Sequence, residues 1–177
     1  MIAAGYWKVG AVLITDSLIL ALGIIKLDKE NMTIAPGGVV RGGSDSALLQ
    51  TNSAGECRRK GIVSVGHGTY THFPVGTDSG QYTPVHLRNT GTSDEFRVRV
   101  SPGVRTMGST GTNITTHVVN RTWSVTEAVN GGSSVSLEFF WKSKHESSTF
   151  NRAISFVSRH NGSIWSPVTG AAPASGT

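Results

Sequence analysis

Apolar and polar positions alternate along much of the C-terminal two-thirds of this chain. Phe96, Val98 and Val100 alternate with Glu95, Arg97 and Arg99, and Val135, Leu137, Phe139 and Trp141 alternate with Ser134, Ser136, Glu138 and Lys142. Successive side chains on a strand point to opposite faces, so each run carries one apolar and one polar face. Asn130-Gly131-Gly132 and Asn161-Gly162 punctuate these runs. Asn-Gly supplies the positive φ angles of a tight hairpin turn at little steric cost. The pattern predicts an all-β fold with an antiparallel β-sandwich over residues 57–166. Its candidate core residues are Trp123, Leu137, Phe139 and Trp141, each in phase with apolar neighbours. Phe140 is out of phase and reads either as an exposed contact or as facing a second buried layer.

Residues 1–56 read differently. Leu18–Ile25, Met32–Ile34 and Val39–Arg41 are short runs separated by Pro36-Gly37-Gly38 and closed by Gly42-Gly43. Each is too short for a helix, and glycine breaks every periodic stretch, which predicts stacked rungs or a meander without a strict repeat. Leu18, Ile19, Leu20 and Leu22 offer apolar side chains on both strand faces. They form a candidate assembly strand, expected to pair head to tail with another copy into a filament. The wider apolar stretch Val9–Ile25 is interrupted by Asp16 and Ser17. It is therefore expected to form two short strands, not a membrane span. Further along, Thr115–Val125 is predicted as a long strand kinked near Asn120, and Phe150–Arg159 as a strand or a short helix. Residues 167–177 have the Pro, Gly, Ala and Ser content of a flexible tail or linker.

Composition narrows the class. The chain has 177 residues, 37% hydrophobic but only 15% charged, with 22 glycines. Few charges with abundant Ser, Thr and Gly suit an extracellular β-protein whose wet faces use hydroxyls. The single cysteine, Cys57, rules out an intrachain disulfide framework. The net charge is +5, but the only compact basic run, Arg58-Arg59-Lys60, has no interleaved aromatics to stack bases. No nucleic-acid partner is expected.

Candidate chemistry is sparse. Of the six histidines, His67 and His72 are five apart and fall on opposite faces of a straight strand. His86, His117, His145 and His160 are scattered, so no metal and no cofactor is expected. Asp78-Ser79-Gly80 and Ser44-Asp45-Ser46 carry one carboxylate each and read as Asx turns, not calcium loops. The basic neighbours of Cys57 favour a lowered thiol pKa. However, no G-x-S-x-G elbow exists, and Glu127 and Glu138 are the only inviting carboxylate pair. The residues point away from an enzyme.

One ordered set of motifs resembles a known family. His72-Phe73-Pro74-Val75-Gly76-Thr77, Tyr82-Thr83-Pro84-Val85, Val118-Val119-Asn120-Arg121-Thr122-Trp123 and Asn161-Gly162-Ser163-Ile164-Trp165 are similar to a β-domain of large secreted bacterial surface proteins exported by type IX secretion. The resemblance spans about residues 18–165. The Cys57-Arg58-Arg59-Lys60 segment departs from it, and the C-terminal sorting domain of those proteins is absent from this sequence. The resemblance implies a non-enzymatic, extracellular or cell-surface structural module. The expected role is a self-assembling subunit of a fibre, layer or adhesin whose partners are copies of itself. The alternatives are a carbohydrate-binding module, holding a glycan on an exposed aromatic, and a hydrolase of unrecognised type.

Overall fold

The computed structural model describes residues 5–63, 69–170 and 173–174. Runs of three or four residues, each ended by a turn, make the chain advance by coils. The first coil comprises β1 (Tyr6–Lys8), β2 (Val12–Ile14) and β3 (Ser17–Leu20). The second comprises β4 (Gly23–Lys26), β5 (Met32–Ile34) and β6 (Val39–Gly42), and a third opens with β7 (Ala47–Gln50) and β8 (Cys57–Ile62). Each strand lies parallel to its counterpart in the preceding coil: β1 with β4 and β4 with β7, β2 with β5 and β5 with β8, β3 with β6.

This is a β-solenoid of stacked short strands, and the antiparallel sandwich predicted for residues 57–166 is not formed. Alternation records that a strand has an apolar face, but not whether its neighbour runs parallel or antiparallel. Cys57–Ile62 was assigned to the sandwich, yet it stacks in parallel on β5 as a solenoid strand.

Coil stacking aligns side chains in columns. Trp7, Ile25 and Leu49 share one register position, Val12, Met32 and Cys57 a second, and Ile14, Ile34 and Arg59 a third. Ile34, Leu49 and Cys57 are fully buried. The turn after β6 depends on glycine, because Gly42 has φ +79° and a Cβ there would overlap the Leu20 carbonyl oxygen.

Beyond the third coil the pairing changes sense. β9 (Thr71–Phe73) leads into β10 (Val75–Gly76), which extends the first ladder in parallel with β7. β11 (Val85–Asn89) is antiparallel to β9, and β12 (Asp94–Pro102) is antiparallel to β8. The remaining strands are β13 (Val104–Met107), β14 (Thr110–Ile114), β15 (Arg121–Glu127), β16 (Val135–Phe139), β17 (Ser158–His160) and β18 (Trp165–Pro167). β16 completes a three-stranded sheet with β11 and β9, and β15 lies beside β12.

The chain divides into two units, one of residues up to Ser101 with Trp123–Phe140, the other of Pro102–Thr122 with Trp141 onward. The boundary expected at residue 56 falls inside the first unit. That unit holds the apolar interior, in which Phe73, Val75, Val85, Leu87, Val98 and Val100 are fully buried. In the second unit β13 pairs with β14 and β17 with β18, and among its described residues only His145 is buried. The long strand predicted over Thr115–Val125 is broken at His117, which adopts φ +57°. Phe150–Arg159 contains a single 3-10 turn, Arg152–Ile154, before β17. Pro167, placed in the predicted tail, belongs to β18. Among the described residues no helix is long and apolar enough to cross a membrane.

Candidate functional site

The first coil is open along one side. β1 and β2 end their sheets, and β3 pairs only with β6, so among the described residues all three strands have an unpartnered outer edge. Tyr6, Trp7, Leu13, Ile19 and Leu22 are each at least half exposed there. An apolar depression of about 310 Å3 lies at this end, lined by Trp7, Val9, Ile19, Leu22 and Ile25 among others. The candidate assembly strand is part of this edge. Leu18 and Leu20 pack against the interior opposite Val40 and Gly42, Ile19 points outward at 69% exposure, and Leu22 sits in the following turn. The run therefore has one covered face and one bare face.

At the other end two of the three ladders have their edges taken, while among the described residues β6 ends the two-stranded β3–β6 sheet without a further neighbour. Gly76 bridges to Tyr82 in antiparallel sense, and Thr83 N–H donates to the Val75 carbonyl at 3.0 Å. β8 is covered by antiparallel β12. The 77–81 turn also reaches the first coil, where the Tyr6 hydroxyl donates to Asp78 Oδ1 at 3.1 Å.

The basic run is dispersed by strand alternation. Arg58 points outward to Glu56 at 3.2 Å, and Lys60 approaches Glu95 at 4.0 Å. Arg59 shares the interior column of Ile34, where its guanidinium donates to the His72 carbonyl at 2.9 Å and the Gly38 carbonyl at 2.8 Å. Cys57 and Arg59 are two apart on one strand, a signal that would have placed Arg59 inside. The low thiol pKa expected for Cys57 is overturned. Full burial pushes it up to about 12, and the nearby Arg59 charge only partly opposes this.

Strand register brings together side chains that looked scattered. His72, His86 and Glu138 form one row across β9, β11 and β16. His86 Nδ1 lies 3.3 Å from Glu138 Oε2, the His72 and His86 rings are 5.1 Å apart, and the Tyr82 hydroxyl is 3.0 Å from His72 Nε2. Burial first, and then the neighbouring His86, lower the His72 pKa to about 4. Phe140 packs its ring 4.6 Å from His86 and remains 41% exposed, and Tyr70 lies 6.2 Å from His86. No sequence spacing could have revealed this row, because its members lie on three strands. His67 lies outside the described residues. Among the described residues no group of three His, Cys, Asp or Glu is arranged to hold a metal.

The other candidates have local roles. Trp123 and Phe139 stack at 5.1 Å and pack against the interior, with Trp123 Nε1 donating to the Thr83 carbonyl. Leu137 pairs with buried Leu87 on the apolar face, but it lies on an edge strand and is 37% exposed, which corrects its assignment to the core. Trp141 belongs to the second unit and is half-buried; its Nε1 donates to Glu146 Oε1, which Arg152 also binds. Glu127 accepts from Gly131 N–H, and Asp78 accepts from the N–H of the next residue, Ser79. No family model matches the chain, and neither a curated protein nor a solved structure matches it.

Proposed function

We propose that this chain is a non-enzymatic structural module of an extracellular or cell-surface protein, joined to a second copy through its first coil. The open three-strand edge of β1, β2 and β3 carries this reading. Unpaired backbone N–H and C=O groups on a sheet edge are a template for another strand, and natural proteins usually blunt such edges with charge. Here the edge carries Trp7, Leu13 and Ile19, all more than half exposed.

The head-to-tail filament expected for Leu18–Leu22 would need a matching open edge at the far end. There β10 and β8 are already covered in antiparallel sense, which leaves β6 alone of the three to offer an open edge among the described residues. Two first coils related by a two-fold axis meet without that requirement, each strand running antiparallel to its mate, and such an isologous contact closes as a pair. The module thus acts as a junction element in a fibre, layer or adhesin. The resemblance of residues 18–165 to bacterial surface β-domains supports the extracellular setting. The deeply buried thiol of Cys57 and the engaged carboxylates of Glu127 and Glu138 support a role without catalysis.

Sedimentation velocity tests the reading. The wild-type chain should sediment as a dimer, and Ile19→Lys should shift it to monomer without loss of β-sheet circular dichroism. A monomeric wild type at its highest soluble concentration would refute it.

A further inference from the structure

The outer face of the β9–β11–β16 sheet has a composition that packing does not require. Its inner side supplies Val85 and Leu87, both fully buried. The outer side needs only solvated residues, and the outer face of β8 and β12 follows that rule with ion pairs of Arg58 to Glu56 and Arg97 to Glu95. On β9–β11–β16, by contrast, the rings of Tyr70 and Phe140 lie beside His86, which in turn contacts the Glu138 carboxylate. Arg88 stands beside them, its guanidinium 5.5 Å above Tyr70 and its Nη2 donating to Ser136 Oγ at 3.4 Å.

We propose that this face is a carbohydrate-binding platform that takes a neutral pyranose, stacked on Phe140 and hydrogen-bonded by Glu138. A pyranose has an apolar face of axial C–H bonds, which suits the electron-rich face of an aromatic ring. Its equatorial hydroxyls radiate in the ring plane, where a carboxylate accepts from two neighbouring O–H groups. The Glu138 side chain is 46% exposed and offers further acceptor positions beyond its contact with His86. Few polar groups set beside an apolar surface are the usual means of orienting a small ligand. A nucleic acid also stacks on rings, but its phosphates need a cationic surround, and here the row ends on an exposed carboxylate. The net charge of +5 attracts acidic polymers without using these rings, so charge and stacking can be separated experimentally.

The test is affinity electrophoresis of the full chain in gels containing soluble β-glucan, xylan or galactomannan, with polygalacturonate as the acidic comparison. At least one neutral polysaccharide should retard the wild type. Phe140→Ala should weaken that retardation about tenfold and Glu138→Gln severalfold, whereas Phe156→Ala, an exposed ring in the other unit, should leave it unchanged. Urea melts of each variant confirm that it is folded. Three results would overturn the platform: no retardation by any neutral polysaccharide, undiminished retardation of both Phe140→Ala and Glu138→Gln, or retardation by polygalacturonate alone.

Discussion

His72 should make the fold sensitive to mild acid, and the effect can be sized. Its ring is half-buried against Tyr82 and His86, and burial holds its pKa at about 4, against 6.5 for an exposed imidazole. The unfolded chain therefore binds a proton near pH 6.5 while the native chain stays neutral until near pH 4. Stability attributable to this group is full above pH 6.5 and declines as pH falls toward 4. Lowering the pH from 7.5 to 5.0 should cost at most about 2 kcal/mol by linkage, at 1.36 kcal/mol per pKa unit. Solvent screening of a partly exposed ring reduces this to about 1–1.5 kcal/mol. Most carboxylate titration lies lower, so the window isolates histidine. Urea denaturation of wild type and His72→Gln at both pH values measures the effect. Glutamine keeps a hydrogen-bonding group for the Tyr82 hydroxyl but does not titrate, so the variant should lose most of the pH dependence. Equal pH dependence in the two proteins would refute the assignment.

Three further outcomes follow from the interior. Leu49 is fully buried between Ile25 and Val75 in the first ladder, so Leu49→Ala should cost about 2–5 kcal/mol in a urea melt. At Gly76 a Cβ would come within 2.7 Å of the Gln81 carbonyl oxygen and 2.9 Å of Leu48 Cδ2. Gly76→Ala should therefore cost about 1–3 kcal/mol by the same measurement, through overpacking. Cys57 is sealed and its thiol pKa is pushed up to about 12, so a thiol-reactive chromophore at pH 8 should label native protein negligibly and urea-unfolded protein stoichiometrically.

The sequence declared its β-character through period-two alternation, and its short N-terminal strands through Gly-Gly and Pro-Gly turns. It did not declare the direction of pairing. Met32–Ile34 and Cys57–Ile62 are parallel neighbours although their spacing matches no strict repeat, because the turns between coils differ in length. Their kinship rests on which side chains stack, and this becomes visible only when Met32 lies beside Cys57 and Ile34 beside Arg59. The ring platform was hidden for a related reason: His72, His86 and Glu138 are neighbours by register alone. Phe140 was a partial exception, since its position out of phase with Phe139 left two readings, an exposed contact or a second buried layer, and at 41% exposure the first holds. Leu137 misled because phase identifies a face but not whether the strand lies at an edge.

Arg59 marks the place where the solenoid stops repeating. The column it occupies is apolar in the first two coils, with Ile14 and then Ile34. In the third coil a guanidinium takes that position, and the neighbour added beyond it is antiparallel β12, with Phe96 in register. The half-buried guanidinium donates to the carbonyls of Gly38, before β6, and His72, in β9. It therefore ties the second ladder to the last strand of the second coil and to β9, whose neighbour β11 is antiparallel. We hypothesise that Arg59 acts as a terminator that fixes this change of sense. Each hydrogen bond from a charged donor contributes about 1.5–3 kcal/mol, and recovery of the desolvation cost offsets part of the pair. Arg59→Met, similar in length but without donors, should thus destabilise the fold by about 2–3 kcal/mol and speed amide exchange in β6 and β9 more than in β1 or β4. Buried ion groups replaced by apolar side chains sometimes leave proteins more stable. An Arg59→Met variant as stable as wild type, with unchanged exchange in β6 and β9, would show that packing alone ends the solenoid.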